Sequence, residues 1–453
     1  MAGPQVERST HLTLFRRKHP ARWFSRGGPL PPVLLAVFVL GAVPAFAGGE
    51  ARAEFPVPRL PYAPRGYVAP RALEAPQIDG RPDDAAWQEA AWTEDFVDIE
   101  GPLRPAPRFR TRAKMLWDDR YFYVLAEMEE PDLWATYDRR DAIIFHEHDF
   151  EIFLDPDGDT HEYYELEINA RNNVWDLLLV RPYRDGGPAV HAWDIAGLRT
   201  AVRLDGTLND PTDRDRGWHA EIALPWEILK ECAHRPAPPA GGDRWRLNFS
   251  RVEWRLEPAA DGDGYRKVLG ADGKPLPEDN WVWSPQGLVN MHCPERWGIV
   301  EFSDAPAGGP AGTAGGAAGP SDAVRAARAP VPPSVSTPDD ATLRRLRLVY
   351  YAQRRRGADG SPPSEDPAWL RAEAARLEAE MGATVESPAQ PPPGARATAS
   401  AGDEEDAAWA GLRVVATPGG FEAVLPGGGS GDWWHIDEAG RTWRSGGTDA
   451  GRP

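Results

Sequence analysis

Between residues 51 and 303, apolar and polar side chains alternate in a series of short runs. The clearest runs place apolar residues at Phe122, Val124, Ala126 and Met128, at Phe150, Ile152 and Leu154, at Tyr164, Leu166 and Ile168, and at Trp218, Ala220, Ile222 and Leu224. A period of two is typical of a strand with one face on a core. Turns rich in Asp, Gly, Pro and Asn separate the runs, so we predict an all-β, antiparallel, jelly-roll-like sandwich.

Composition marks where this domain ends. Residues 304–340 are almost wholly Ala, Gly, Pro and Ser, which predicts a flexible linker, and residues 385–410 predict a second one. Between the linkers, residues 341–384 carry apolar side chains at helical spacing on either side of Pro362, so we expect two short helices. Short apolar runs and Gly-rich turns in residues 411–453 predict a small β-hairpin tail.

The N-terminus has the features of an export signal. Arginines precede the apolar run Pro32–Val43, and Ala45-Phe46-Ala47 follows it. Residues 1–47 are therefore interpreted as a cleavable signal peptide, which predicts a secreted or periplasmic protein. An uncleaved anchor is the alternative, although the apolar run is short of the about 20 residues that span a bilayer.

Charge and cysteine content limit the function classes. The net charge of −18 argues against a nucleic-acid partner, since phosphate contacts need clustered Lys and Arg. The chain has no C-x-x-C-H pattern for covalent haem attachment. Cys232 and Cys293 are the only cysteines, and in an exported chain they form either one disulfide or two separate thiols.

One turn has the composition of a calcium site. Asp155, Asp157 and Asp159 offer carboxylates at alternate positions of the turn that they form with Pro156 and Gly158. We predict these three residues as Ca²⁺ ligands, with a plain hairpin turn as the alternative.

Four more acids share a face of two neighbouring strands. Asp149 and Glu151 alternate with apolar residues in one run, and Glu165 and Glu167 do so in the next. We expect a solvated acidic face. The alternative is a glycosidase acid pair, which needs two carboxyl groups about 5–5.5 Å or about 6.5–9.5 Å apart.

Tryptophan is unusually frequent, with 19 residues against 14 Phe and 11 Tyr. Five of these tryptophans are assigned to the core: Trp87, Trp92, Trp117, Trp218 and Trp245. Others lie in polar surroundings, where a flat indole can stack on a sugar ring. We predict a ligand-binding surface that combines aromatic planes with hydrogen-bonding neighbours, at Trp175, Trp193, Tyr183, Glu167, Asn169 and Arg112. A Trp-lined sandwich edge is the competing interpretation.

Five motifs in order carry a family resemblance. They are Ile78-Asp79-Gly80 with Trp87, Trp117-Asp118-Asp119, the run Asp149 to Asp155, the run Gly217 to Trp226, and Trp283-Ser284-Pro285. In this order, over about residues 70–303, the chain resembles the family 9 carbohydrate-binding modules. The resemblance implies a β-sandwich that binds sugars through stacked tryptophans, with structural calcium, and that is often attached to xylanases or other glycoside hydrolases.

The chain departs from this family at its binding platforms. Phe145 stands where characterised members carry one platform tryptophan, so the resemblance implies Phe145 as a ligand-binding residue. The second platform has no equivalent around residues 290–292.

The sequence therefore predicts an exported protein that binds an oligosaccharide or polysaccharide of plant or microbial type and is not itself an enzyme. The C-terminal helices and tail are expected to contact a cell-envelope partner. Two alternatives stay open: a glycoside hydrolase or hydrolase accessory subunit, and a haem- or partner-binding sandwich of a redox complex.

Overall fold

The computed structural model describes residues 55–260, 262, 264–306, 338–383, 407–427 and 431–446. The predicted signal peptide lies outside the described residues, as do most of the two predicted linkers. Of the helices described, none is both long enough and apolar enough to cross a bilayer.

Strands dominate the described chain. They are β1 Gly66–Arg71, β2 Val97–Asp98, β3 Thr111–Trp117, β4 Tyr121–Glu129, β5 Phe150–Asp155, β6 Tyr163–Ile168, β7 Val174–Leu179, β8 Ala189–Val190, β9 Arg199–Asp205, β10 Gly217–Pro225, β11 Arg244–Glu253, β12 Leu256–Pro258, β13 Tyr265–Lys267, β14 Asp279–Val282, β15 Gly298–Pro306, β16 Arg413–Thr417, β17 Gly420–Pro426, β18 Trp433–Asp437 and β19 Thr442–Ser445. The helices are α1 Ala85–Glu89, α2 Trp226–Leu229, α3 Pro338–Ala358 and α4 Pro367–Ala383, with 3₁₀ turns at Gly101–Leu103, Ile144–His146, Tyr183–Asp185 and Pro294–Arg296.

Thirteen strands form the sandwich. Eleven follow the order β8-β7-β6-β5-β11-β15-β1-β3-β4-β10-β9, and in addition β14 pairs with β11 and β2 pairs with β14. This confirms the predicted all-β sandwich. One strand departs from antiparallel pairing: β1 runs parallel to β15 and meets β3 in parallel at Arg71 and Trp117. Parallel neighbours need a long connection, and nearly the whole domain lies between β1 and β15.

Aromatic rings fill the space between the two halves of the sandwich. Phe122, Trp226, Trp245 and Phe302 pack with ring centroids 5.4–5.9 Å apart, mostly edge to face. Of the tryptophans assigned to the core, Trp87, Trp117, Trp218 and Trp245 are at most 2% exposed, and Trp92 is half-buried.

The predicted C-terminal helices and β tail are present, and they pack on the sandwich. Strands β16 to β19 form an antiparallel sheet that shares an apolar cluster with α3 and α4. Tyr350 of α3 donates its hydroxyl to Asp185 at 2.7 Å. Thr160 in turn donates to the carbonyl of Gly440 at 2.8 Å. The helices and tail thus contact the loops at one end of β5, β6 and β7.

The two cysteines are separate thiols. Cys293 is buried and its sulfur accepts a hydrogen bond from Arg184 at 2.8 Å, whereas Cys232 is half-buried and its backbone N–H donates to the Tyr164 hydroxyl at 2.8 Å. Of the two alternatives that the sequence left open, the structure shows the free thiols.

A compensated charge network is buried beside β11. Arg251 contacts Glu130 at 2.8 Å and Glu253 at 2.9 Å, and His148 Nδ1 lies 3.1 Å from Glu130. All four side chains are at most 3% exposed. The guanidinium and the imidazole balance two carboxylates, and the pKa of His148 is raised because Glu253 and Glu130 outweigh its burial.

Removing the guanidinium should therefore be costly. We expect Arg251→Met to lower the free energy of unfolding by about 3–5 kcal/mol, since it leaves two buried carboxylates with only His148 and the half-exposed Arg108 as partners. Urea unfolding of the full chain measures this. Arg214→Met is the matched control, because Arg214 pairs with Asp132 at 3.0 Å while 70% exposed and should change stability by about 0–1 kcal/mol. Equal effects of the two variants would contradict the assignment.

Candidate functional site

Strand register places the acidic residues in rows across the half-sheet β11-β5-β6-β7. Ser250 lies opposite Glu151, Glu151 opposite Glu167, and Glu167 opposite Trp175. The next row on the same face is Asn248, Phe153, Glu165 and Leu177. Because side chains two residues apart share a face, the four acids and Trp175 belong to one surface of this half-sheet.

Loops cover this surface. The 3₁₀ turn Ile144–His146 and the segment that ends at Trp297 bring apolar side chains onto it, forming a cluster with Phe153, Tyr163 and Trp175. Asp149, Glu151, Glu165 and Glu167 are consequently 0%, 5%, 5% and 1% exposed. The expectation of a solvated acidic face is wrong, because strand periodicity carries no information about which loops fold over a strand.

We call these four residues the carboxylate cluster. Oxygens of Asp149, Glu151 and Glu167 all lie within 4.8 Å of one another. Backbone N–H groups of Val252 and Phe145 donate to Asp149 and Glu167 at 3.2 and 3.0 Å. One oxygen of Asp149 and one of Glu165 have no hydrogen-bond partner among the described atoms.

The cluster lacks a basic neighbour: among the residues that the structure describes, no Lys, Arg or His forms an ion pair with it. Burial, followed by repulsion from neighbouring carboxylates, raises the pKa of Asp149, Glu165 and Glu167 well above the ordinary range. Burial raises the pKa of Glu151 to about 7. The cluster therefore holds protons at neutral pH or takes up a ligand that supplies positive charge or hydrogen-bond donors.

The arrangement differs from that of a glycosidase. Such an enzyme keeps one carboxyl protonated and its partner ionised, so the two pKa values are pushed apart. Here the same causes move all four pKa values upward. The carboxylate cluster is thus suited to binding rather than to acid–base catalysis.

An aromatic layer lies beside the cluster. The ring of Trp175 stacks on Phe145 at 6.4 Å and on His191 at 5.7 Å. Trp175 is only 7% exposed, whereas Phe145 is 37% exposed and His191 is exposed too. Of the two predicted residues, Phe145 has the solvent-exposed ring, and the buried Trp175 packs against it.

Tyr183 provides a second exposed ring next to the same acids. It is 48% exposed and packs edge to face on His292 at 4.5 Å. Burial, with Glu165 and Glu167 nearby, raises the pKa of Tyr183 to about 12, so its hydroxyl stays protonated. Nδ1 of His292 and the hydroxyl of Tyr163 form a hydrogen bond of 2.9 Å. Burial lowers the pKa of His292 to about 3, which keeps the imidazole neutral.

Other predicted ligand residues lie apart from these rings. Trp193 is half-buried against the sandwich core, where it stacks on Tyr164 at 5.0 Å. Asn169 is fully buried, and its amide group is engaged by protein atoms such as Glu147 at 2.6 Å. Arg112 stacks on Trp92 at 4.1 Å and hydrogen-bonds to Glu127 at 2.9 Å on β4. The structure therefore gathers Phe145, Trp175, Tyr183 and Glu167, and leaves the other three elsewhere.

The predicted calcium ligands remain grouped. Oxygens of Asp155, Asp157 and Asp159 lie within 4.8 Å of one another. Both oxygens of Asp155 accept backbone N–H groups, from Gly158 at 2.9 Å and Thr160 at 3.0 Å. The guanidinium of Arg441, from the C-terminal tail, donates to Asp159 at 2.8 Å. Burial and the neighbouring Asp157 raise the pKa of Asp159 to about 6.

Sequence reasoning missed the basic residues around these sites. His148 belongs to the Arg251 network, and Arg184 pairs with Glu295 at 2.8 Å beneath the C-terminal helices. Neither pairing has a local signal, because the partners lie 18 and 111 residues apart in the chain.

The pKa of Glu151 predicts a pH-dependent stability. A carboxyl with a raised folded-state pKa favours folding below its unfolded value of about 4.3 and loses that contribution as pH rises to about 7. Glu151→Gln, which mimics the protonated form, should raise the free energy of unfolding at pH 8 by on the order of 2 kcal/mol and change it little at pH 4. Urea unfolding at both pH values measures this, with the exposed Glu74→Gln as control. A loss of stability at pH 8 would contradict protonation and indicate a cation on the cluster.

Comparison with protein families identifies one segment of the chain. Residues 78–177 match a family described as "Carbohydrate family 9 binding domain-like". The match runs from the Ile78-Asp79-Gly80 motif to Leu177 of β7, and it includes the carboxylate cluster, Phe145 and Trp175.

Two curated relatives are similar over parts of their length. The chain is 30% identical over 99 residues, or 22% of its length, to "Endo-1,4-beta-xylanase C" of Paenibacillus barcinonensis. It is 30% identical over 163 residues, or 36% of its length, to "Exoglucanase XynX" of Acetivibrio thermocellus. The chain spans only 8% and 12% of these two relatives.

Solved structures of a family 9 carbohydrate binding module from Caldicellulosiruptor kristjanssonii are also similar. The complex with glucose has a TM-score of 0.34 and 17% identity, over 52% of this chain and 95% of that one. The complex with cellotriose has a TM-score of 0.33 and 17% identity, over 56% and 100%. With the family match at residues 78–177, the chain contains a domain like the family 9 carbohydrate-binding domain, as its motifs predict.

Proposed function

We propose that the sandwich is a saccharide-binding module and that the sugar lies against the Phe145 and Tyr183 rings beside the carboxylate cluster. The observation that carries this proposal is the cluster itself: buried carboxylates, without a basic partner among the described residues, adjoin two exposed aromatic rings. Sugar hydroxyls are donors, and a pyranose ring offers a C–H face for stacking. A pyranose stacked on the two exposed rings therefore places its hydroxyls beside the cluster.

Contacts to the acids support a single site. The backbone of Phe145 is tied to Glu167 by a hydrogen bond of 3.0 Å, and Tyr183 is electrostatically close to Glu165 and Glu167. The two rings therefore share the same acidic neighbours. Aromatic side chains with a small number of polar groups are the usual lining of small-ligand sites.

The substrate class is proposed from the relatives. A xylanase and an exoglucanase carry the similar segments, and the solved modules hold glucose or cellotriose. We infer a xylan- or glucan-type oligosaccharide. Export through residues 1–47 and a cell-envelope partner for the C-terminal region stay predictions.

Calcium at Asp155, Asp157 and Asp159 is a separate proposal. The three carboxylates supply the hard oxygen ligands that Ca²⁺ prefers, and they lie close enough to converge. Arg441 already neutralises part of their charge. We therefore expect Ca²⁺ and Arg441 to compete for Asp159.

Saccharide binding is tested by calorimetric titration of the full chain with xylo-, cello- and manno-oligosaccharides. We expect saturable binding by at least one series, and a roughly fivefold or greater weakening in Phe145→Ala and in Tyr183→Ala, since each removes a stacking ring worth about 1 kcal/mol or more.

Two control variants locate the site. Leu73→Ala removes an apolar side chain that is 77% exposed on the part of the chain before α1 and should leave the affinity unchanged. Trp193→Phe tests the second predicted platform and should also be neutral. Failure of every oligosaccharide to bind, or an equal loss in Leu73→Ala, would overturn the proposal.

Calcium binding is tested by thermal unfolding with CaCl₂ and with a chelator. The wild type should gain stability with Ca²⁺, Asp157→Asn should lose that gain, and Arg441→Gln should show a larger gain because the competing guanidinium is absent. Identical melting temperatures in Ca²⁺ and chelator for all three proteins would rule the site out.

A further inference from the structure

A cavity of about 50 Å³ lies where the C-terminal helices meet the sandwich. Arg246 of β11 and Arg296 of the 3₁₀ turn Pro294–Arg296 line it from the sandwich side. Arg344 and Arg347 line it from α3. It is therefore a junction cavity bordered by four arginines from two parts of the fold.

Three of these guanidinium groups have no acidic partner. Within the described residues, Arg246, Arg296 and Arg347 form no ion pair, whereas Arg344 pairs with Glu378 at 2.6 Å. Arg296 is 5% exposed and Arg347 is 8% exposed. Nε of Arg296 and Nη1 of Arg347 have no hydrogen-bond acceptor.

The partners that these arginines do have are neutral. Arg246 donates to the Tyr62 hydroxyl at 2.6 Å and to the carbonyl of Trp297 at 3.2 Å. Arg296 donates to the carbonyls of Leu60 and Pro61 at 3.1 and 2.8 Å. These contacts fix the direction of the guanidinium groups, and the nearest acids, Asp340 and Asp155 for Arg246 and Glu295 for Arg296 and Arg347, act on them electrostatically without forming ion pairs.

The two acids that line the cavity are already engaged. Glu295 receives two hydrogen-bonding nitrogens of Arg184 at 2.8 and 2.9 Å, together with the hydroxyl of Tyr351. Asp340 forms an ion pair with Arg244 at 3.5 Å, and Arg244 does not line the cavity. The lining therefore carries an excess of buried positive charge.

We propose that this cavity binds a small oxyanion, such as phosphate or a carboxylate, through Arg296 and Arg347. Buried charges without partners are costly, and oxyanions accept from guanidinium N–H groups in strong, charge-assisted hydrogen bonds. The volume limits the ligand to the size of an inorganic oxyanion or a short carboxylate. Because the arginines come from the sandwich and from α3, the anion ties the C-terminal helices to the sandwich.

This site is independent of the proposed saccharide site. Its four arginines belong to β11, the turn before β15 and α3, and no residue of its lining belongs to the carboxylate cluster or to the Phe145 and Tyr183 rings. Loss of sugar binding and loss of anion binding can therefore be observed separately.

Thermal unfolding of the full chain tests the proposal. Inorganic phosphate and sodium acetate are compared with sodium chloride at equal ionic strength, which removes general screening effects. For the wild type we expect at least one of the two oxyanions to raise the melting temperature by about 2 °C or more above the chloride value, in a saturable manner.

Three variants assign the effect to the cavity. Arg347→Gln should lose the oxyanion-specific shift, and Arg347→Lys, which keeps the charge, should retain part of it. Arg345→Gln, two residues away on α3 and outside the lining, is the matched control and should keep the whole shift.

Each outcome decides the proposal. A shift by phosphate alone identifies a phosphate-type ligand, a shift by acetate alone identifies a carboxylate, and both are supporting results when Arg347→Gln removes them. The proposal is overturned when chloride matches both oxyanions in the wild type, or when Arg347→Gln keeps the shift. If Arg347→Gln does not fold, the wild-type result and Arg347→Lys still decide.

Discussion

The burial of uncompensated charge is the constraint on which the functional surface depends. Four carboxylates lie on one face of the half-sheet formed by β11, β5, β6 and β7, and each is at most 5% exposed. Isolated carboxylates in such a place would cost more free energy than a domain's net stability provides, so protons or a ligand must compensate them. One covering turn depends on the same groups, because Glu167 accepts the backbone N–H of Phe145, while Asp149 accepts that of Val252 on β11. The state of Glu167 therefore bears on the position of the Phe145 ring.

Toward the other end of the same sheet face, a positively charged residue joins the acidic ones. One row beyond Glu165 and its partner Phe153 lie Asp155 and Arg246, opposite each other on β5 and β11. Arg246 faces the junction cavity, and Asp155 begins the acidic turn. The Arg251 network shows that this fold can pair buried charges completely, with a guanidinium and an imidazole against two carboxylates. The carboxylate cluster and the arginines of the junction cavity lack such pairing among the described residues, which is the reason for proposing a ligand at each.

Strand periodicity was sufficient to predict the all-β sandwich, and helical spacing and Gly-rich turns were sufficient to predict the C-terminal helices and β tail. The period of two also correctly placed Asp149, Glu151, Glu165 and Glu167 on one face of the sheet. Their burial could not be predicted, because it depends on Trp297, which is distant in sequence, and on the way the nearby turn Ile144–His146 folds over the sheet. The parallel pairing of β1 with β15 and the packing of α3 on the sandwich could not be predicted either, since both join residues more than 160 positions apart. Local patterns determine which residues share a face, whereas long-range contacts determine what covers that face.

Exposure, rather than residue type, decides which aromatic rings can meet a ligand. Trp175 has the larger ring, but its faces are occupied by Phe145 and His191, and 7% of it is exposed. Phe145 and Tyr183 are smaller rings, yet 37% and 48% of their surfaces are exposed beside the carboxylate cluster. A ring that is already stacked on both sides gains little from a further ligand, whereas an exposed ring gains both buried apolar area and stacking. Phe145 thus presents an exposed aromatic surface at this position, and the buried Trp175 packs against it.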